Sequence, residues 1–168
     1  MRILGIDPGT REFAWAIYDT EFDMVMDYQH VTLDKKEKDV DARLRKAETI
    51  LQDLIRASDS IDLIAYEMMF SRGNAADAPL AVFAWLIRQR AWWAKKLFIE
   101  IPHTSAYKEV VGDGKATKED VKASLETRFR EKFPSTDVTD AIVMALASVT
   151  YTPKGKKKKP RKEASRRK

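Results

Sequence analysis

Met1-Arg-Ile-Leu-Gly-Ile-Asp-Pro-Gly-Thr10 opens the chain, and its reading decides the fold. Ile3-Leu4-Gly5-Ile6 is an apolar run too short for a helix and bounded by turn residues, the signature of a buried strand. The strand delivers Asp7 at its carboxyl end, and Pro8-Gly9 stops it. Proline presets the first turn position and glycine accepts a positive φ at the second, so a tight turn toward another strand is expected. A carboxylate at the mouth of a buried strand suits a cation held against a phosphate. Taken alone, Asp7 reads first as a turn residue.

From there the pattern continues outward. Phe13, Trp15 and Ile17 alternate with Ala14, Ala16 and Tyr18, a period of two that makes 12–19 a strand in hairpin with the first. Residues 24–33 extend this antiparallel group to three. From Val40 the spacing turns helical through Leu44, Ala47, Leu51 and Leu54. Ser60 to Glu67 is a second buried strand that ends on a carboxylate. A strand reached through a helix is parallel to its predecessor, so Asp7 and Glu67 are expected at one end of one sheet, where ligand sites gather. As a lone residue, Glu67 is also a plausible solvated strand end.

Phe70 and Arg72 follow in a loop; Phe70 reads either as a core residue folding back or as a platform for a nucleic-acid base. The helix from Ala75 to Lys96 is apolar on two faces, Leu80, Phe83, Ile87 and Ala91 on one, Val82, Trp85, Leu86 and Trp93 on another. Such a helix is buried twice within its own subunit or meets a second copy. Leu97 to Ile101 is a fifth strand. Gly112-Asp113-Gly114 marks a mobile turn ringed by Lys108, Lys115 and Lys118, which suit phosphate contact or an ordinary solvated surface. Thr117 and Asp120 form a capping box for the next helix. Asp137 and Asp140 share one face at the start of the last helix, where N-capping and the helix dipole also account for them.

Composition narrows the chemistry. The 168 residues suggest one domain, residues 1–152, and a basic tail, 153–168, expected to be disordered. The tail holds seven Lys, three Arg and one Glu, so the net charge of +5 conceals an acidic body and a strongly basic arm. Lys156, Lys157, Lys158 and Lys159 fit a polyanion, and the tail also reads as a nuclear address in a eukaryotic or viral setting. There is no cysteine, and two histidines far apart do not by themselves make a typical zinc site. No stretch is long and apolar enough to cross a bilayer, which makes a soluble, cytoplasmic protein the expectation. Four acids converging at one sheet end would need counter-charge, and an all-oxygen set favours Mg²⁺ or Mn²⁺. Two such ions suit phosphodiester hydrolysis.

Four segments in this order resemble the RuvC family of Holliday-junction resolvases: Gly5-Ile6-Asp7-Pro8-Gly9-Thr10, Glu67-Met-Met-Phe70 with Arg72-Gly-Asn74, Lys108 to Lys118, and Asp137-Val-Thr-Asp140-Ala141. The resemblance covers most of residues 1–150 and implies a ribonuclease H-like α/β fold with a mixed five-stranded sheet flanked by helices. It implies that Asp7, Glu67, Asp137 and Asp140 hold two metal ions, that Lys108 and Lys118 act at the scissile phosphate, with Lys118 in the catalytic set, and that Phe70 enters a four-way DNA junction. It implies a homodimer that cuts two opposed strands. The added basic tail and the tryptophans of the long helix depart from the bacterial members and leave junction specificity open. The alternatives are a broader branched-DNA nuclease, an RNA–DNA hybrid nuclease, a non-catalytic junction-binding protein, and a binder acting through the tail alone.

Overall fold

The computed structural model describes residues 1–33, 36–57, 60–69 and 78–152. Five strands and five helices follow one another as β1 (Arg2–Asp7), β2 (Glu12–Asp19), β3 (Met24–Thr32), α1 (Val40–Ala57), β4 (Leu63–Glu67), α2 (Ala78–Trp93), β5 (Leu97–Ile101), α3 (His103–Val111), α4 (Lys118–Phe129) and α5 (Thr136–Ala147). They build one mixed sheet in the order β3-β2-β1-β4-β5. β1 pairs antiparallel with β2 and parallel with β4, as the sequence pattern predicts.

Alternation along the strands assigns the buried side chains to one of two cores. Leu4 and Ile6, Phe13 and Trp15, and Ile64 and Tyr66 face α1 and α2. The other parity, Ile3, Ala14, Ala16, Tyr18 and Ala65, faces α3, α4 and α5. Because the strand period is two, Asp7 and Glu67 fall on the parity of Ile3 and Ala65, the face covered by α5. Glu12 falls there too, on the parity of Ala14 and Ala16.

α5 approaches this face without an intervening side chain. A Cβ added at Gly5 would stand 2.0 Å from the Ala141 carbonyl oxygen and 2.9 Å from the Ala145 nitrogen. Gly5 and the alanines 141 and 145 thus let the helix lie directly on the strand, and Asp140 is carried with it toward Asp7.

Two expectations are corrected, and one stretch without an assigned element is a helix. Gly9 does not adopt a positive φ; among the described glycines Gly112 does, at 82°. What requires glycine at 9 is space, since a Cβ there would stand 1.9 Å from the Glu12 carbonyl oxygen. The stretch before Gly112 is a helix, α3, opened by Pro102 and closed by left-handed Gly112, whose N–H donates to the Lys108 carbonyl. The turn expected to be mobile is tied down: the Lys115 N–H donates to Asp113 at 2.8 Å, and Gly114 lies against Thr104, where a Cβ would come within 2.6 Å of its carbonyl oxygen. The Thr117–Asp120 capping box is present as expected.

α2 resolves its two readings. Phe83, Ala84, Leu86, Ile87 and Ala91 are buried, with Phe83 against Phe13 at 5.3 Å between ring centroids. Trp85, Trp92 and Trp93 stand exposed, Trp92 by 71%. The helix is therefore not buried on both sides within the described residues.

Replacing Gly5 by alanine forces α5 off β1 and is expected to destabilise the fold by about 3 kcal/mol or more, the upper range of overpacking. Gly112→Ala meets nothing within 4 Å and is expected to cost about 1 kcal/mol, from left-handed backbone alone. Urea denaturation of both variants measures the difference; equal midpoints would contradict it.

Candidate active site

Each acid reaches the site by a separate route. Asp7 and Glu67 end the adjacent parallel strands β1 and β4, one residue beyond the last matched pair, Ile6 with Tyr66. Asp137 and Asp140 occupy the first turns of α5. The N-cap there is Ser135, whose side chain accepts from the Val138 N–H, so Asp137 is not the cap. One oxygen from each of Asp7, Asp137 and Asp140 lies within 4.8 Å of the others. Glu67 stands alongside, near enough to feel the charge of Asp140.

Charge repulsion and burial leave their mark on the protons. Burial raises the Asp7 pKa well above the ordinary carboxylate value, and Asp140, Glu67 and Asp137 add to the rise while Lys118 opposes it. Burial also raises Glu67, with His103 acting against and Asp140 with the shift. Asp140 is 1% exposed and has both oxygens engaged. Tyr107 donates its hydroxyl to Oδ1 at 2.6 Å, and Lys118 Nζ lies 2.6 Å from Oδ2. Lys118 Nζ also reaches Asp137 Oδ1 at 3.3 Å. Burial alone would lower the Lys118 pKa, but Asp140, Asp7 and Asp137 raise it overall. The lysine stays charged, the one ammonium that this cluster of acids holds among the described residues.

The expected lysines divide. Lys118 is in the site. Lys108 and Lys115 are exposed; Lys108 is one position past Tyr107 on α3, a rotation of about 100° away from the face that meets Asp140. Phe70, Arg72, Lys156, Lys157, Lys158 and Lys159 lie outside the described residues.

Four residues at the site carried no sequence assignment. Tyr107 is buried, and burial first, then its bond to Asp140, raises its pKa and keeps the hydroxyl a donor. His103 stacks on Tyr107 with 3.9 Å between ring centroids. His30 Nε2 lies 3.1 Å from Glu12 Oε2 and 3.4 Å from Asp137 Oδ2. Pro102 before His103 and Gly112 after Val111 are the signal that could have placed Tyr107, because together they mark a helix whose inner face carries Ala106 and Tyr107.

The donor set fits hard divalent cations. It is all carboxylate oxygen, with Asp7, Asp137 and Asp140 clustered within one ion's reach. The pKa values of Asp7 and Glu67 are raised by burial first and by the neighbouring acids next. A lysine ammonium already sits between two of the ligands.

Similarity to known proteins agrees with this geometry. The family described as "Crossover junction endodeoxyribonuclease RuvC" matches residues 3–148. A protein of that name from Synechocystis is 33% identical over 153 residues, spanning 88% of this chain and 90% of the relative. One from Aliarcobacter butzleri is 31% identical over 160 residues, spanning 87% and 96%. The solved structure of Thermus thermophilus RuvC superposes with a TM-score of 0.74 at 17% identity, covering 89% of this chain and 93% of that one. The same protein solved in complex with a Holliday junction substrate superposes equally well, at 15% identity. The fold is thus ribonuclease H-like, with acids gathered at the carboxyl ends of its central strands. The chain belongs to the RuvC family of crossover junction endodeoxyribonucleases, and membership makes it a hydrolase.

The raised carboxyl pKa values set a pH dependence. An acid that binds its proton more tightly when folded contributes stability below its unfolded pKa, about 4, and loses it as pH rises through the higher folded value. Without cations, the contribution of Asp7 and Glu67 therefore declines from pH 4 upward. Mg²⁺ is expected to raise the melting temperature more at pH 8 than at pH 5. Saturation at about 100 times Kd gives about 2.7 kcal/mol, roughly 5–10 °C for a chain of this length. EDTA reverses the shift. Asp7→Asn is expected to raise the cation-free melting temperature and flatten its pH dependence; scanning calorimetry of both proteins decides it.

Proposed function

We propose that this chain resolves four-way DNA junctions as a homodimer, each subunit hydrolysing one phosphodiester at Asp7, Glu67, Asp137 and Asp140. The observation that carries the reading is the convergence of Asp7, Asp137 and Asp140 oxygens within 4.8 Å, from opposite ends of the chain, beside a second strand end bearing Glu67. Two Mg²⁺ or Mn²⁺ ions held there would supply an activated water and charge stabilisation of the leaving oxygen.

The chain's own residues do the rest. Unscreened, four acids repel a phosphate, so DNA binding and cation binding are linked at this site. Tyr107 and Lys118 fix the carboxylate plane of Asp140, one at each oxygen. Lys118, 46% exposed at its side chain, is the positive group that reaches from the cluster toward an incoming phosphate. Lys108 and Lys115, on the exposed surface nearby, would contact the backbone further along. We assign Phe70 and Arg72 to the branch point and the lysines 156–159 to a basic arm, residues 1–152 being the nuclease domain. A cytoplasmic location follows the same reading; no helix among the described residues is long and apolar enough to cross a membrane.

Dimerisation is supported by a surface that a monomer would have no reason to expose. Trp85, Trp92 and Trp93 of α2 and Phe98 of the edge strand β5 line a groove of about 530 Å³ with Arg88 and Gln89. Leu97 beside it is 73% exposed. A helix and strand edge of this composition suits the apolar centre of an interface, where aromatic residues and arginine concentrate.

The second reading is a broader nuclease for forks and flaps, since Phe70 and Arg72, the residues assigned to the branch point, lie outside the described ones. End-labelled four-way junction, fork and linear duplex, incubated with Mg²⁺ or EDTA, separate the two. Paired symmetrical cuts confined to the junction are expected, lost with EDTA. Asp7→Asn is expected to retain junction binding while cleavage falls at least 10³-fold, a loss of about 4 kcal/mol of transition-state stabilisation. Cutting of forks at equal rate would favour the broader enzyme, and unaffected cleavage by Asp7→Asn would remove the assigned site. For the dimer, Trp85→Glu combined with Trp92→Glu is expected to give a folded monomer by light scattering that nicks only one strand per encounter; an unchanged mass would move the interface elsewhere.

A further inference from the structure

Glu12 and His30 stand at one end of the antiparallel pair β2–β3. Ala14 is opposite His30 and Glu12 opposite Thr32, so Glu12 and His30 are diagonal neighbours on one face, within reach of each other. That face is covered by α5, which brings Asp137 over the pair. His30 Nε2 lies 3.1 Å from Glu12 Oε2 and 3.4 Å from Asp137 Oδ2. The nitrogen is buried and makes no aligned hydrogen bond to either. One ligand atom from each of the three residues lies within 4.8 Å of the others.

A nitrogen aimed between two carboxylate oxygens can be read two ways. As N–H it has one hydrogen for two acceptors and points well at neither. As a bare lone pair it opposes two anionic oxygens, an arrangement that a shared cation turns from repulsive to favourable. Asp137 is placed to bridge: Oδ1 faces Lys118 at 3.3 Å in the acidic cluster, while Oδ2 faces His30. The donor set also differs from that of the cluster. One imidazole and two carboxylates suit Mn²⁺, Co²⁺ or Zn²⁺, whereas Mg²⁺ prefers oxygen and its own waters.

We propose that Glu12, His30 and Asp137 form a separate divalent-cation site of transition-metal character that shares Asp137 with the acidic cluster. It does not depend on the nuclease reading, because its ligands converge whatever the cluster acts on. Occupancy would tie β2 and β3 to the start of α5 and set Asp137 in place from its second oxygen.

The test uses the full chain without DNA, with excess Mg²⁺ present and Co²⁺ or Zn²⁺ added. One Co²⁺ with the ligand-field absorption of a nitrogen-containing site is expected in the wild type, and again in Asp7→Asn, in which the acidic cluster is disabled. Affinity is expected to fall roughly tenfold or more in His30→Gln and Glu12→Gln, since the imidazole and its partner set the preference for such ions. On the unsubstituted protein, Zn²⁺ is expected to shift the ring resonances of His30 and not those of His103, the other histidine. This second measurement holds even where a variant folds poorly. Undisturbed His30 signals, or equal Co²⁺ affinity in His30→Gln, would overturn the site and leave His30 as a polar neighbour of Glu12 and Asp137. Absence of junction cleavage by the unsubstituted protein, with Co²⁺ binding intact, would count against the proposed function alone.

Discussion

Everything at the acidic end of this molecule depends on one backbone contact, α5 lying directly on β1 at Gly5. A side chain there would meet the Ala141 carbonyl at 2.0 Å, so the helix sits as close to the strand as two backbones allow. That closeness fixes the height of Asp140 above Asp7 and brings Asp137 over the end of β2. The interior of α5 is almost wholly buried, from Val138 to Ala147, and the small residues among them permit the approach without a cavity. The geometry of the acidic cluster is inherited from core packing.

The same packing creates an electrostatic cost that the site must offset. Asp140 is removed from water and survives because a phenol and an ammonium each hold one oxygen. Asp7 and Glu67 have no comparable donors in the described structure and shift toward the protonated state instead. Two acids are therefore satisfied by the protein and two are left needing positive charge. This asymmetry distinguishes a site prepared for cations from an ordinary buried ion-pair network, in which every charge would be met.

Much of this was legible in the sequence. The parity of Ile3 and Ala65 fixes which way Asp7 and Glu67 point, and a strand–helix–strand connection makes the two strands parallel; local pattern decides both. The four segments that resemble RuvC proteins did identify the family. Tyr107 was not legible because the stretch before Gly112 carried no element in the sequence reading, its short length and the polar Thr104, Ser105, Lys108 and Glu109 hiding a helix that Pro102 and Gly112 delimit. Attention fell on Lys108 for its residue type, one position out of phase with the face that matters. Glu12 and His30 were beyond reach for a different reason. Their proximity depends on the register of β2 against β3, which includes a bulge between Ile17 and Tyr18, and register is a property of the assembled sheet. The role of Asp137 as an N-cap looked equally good from sequence, and only the Ser135 side chain removes it.

The order of the strands has a consequence for how the protein is made. β1 lies at the centre of the sheet, between β2 and β4, yet its acid is completed by residues of α5, the last helix described. Long-range contacts of this kind are slow to form because a long loop must close before they are rewarded. During synthesis the hairpin of β1 and β2 is available early and β4 can add Glu67 beside Asp7, but Asp137 and Asp140 are missing until α5 has emerged from the ribosome and docked on Gly5. A nascent or truncated chain can thus hold much of its sheet and still lack the full cluster of acids. The topology keeps the acidic cluster from being complete before the last described helix is in place.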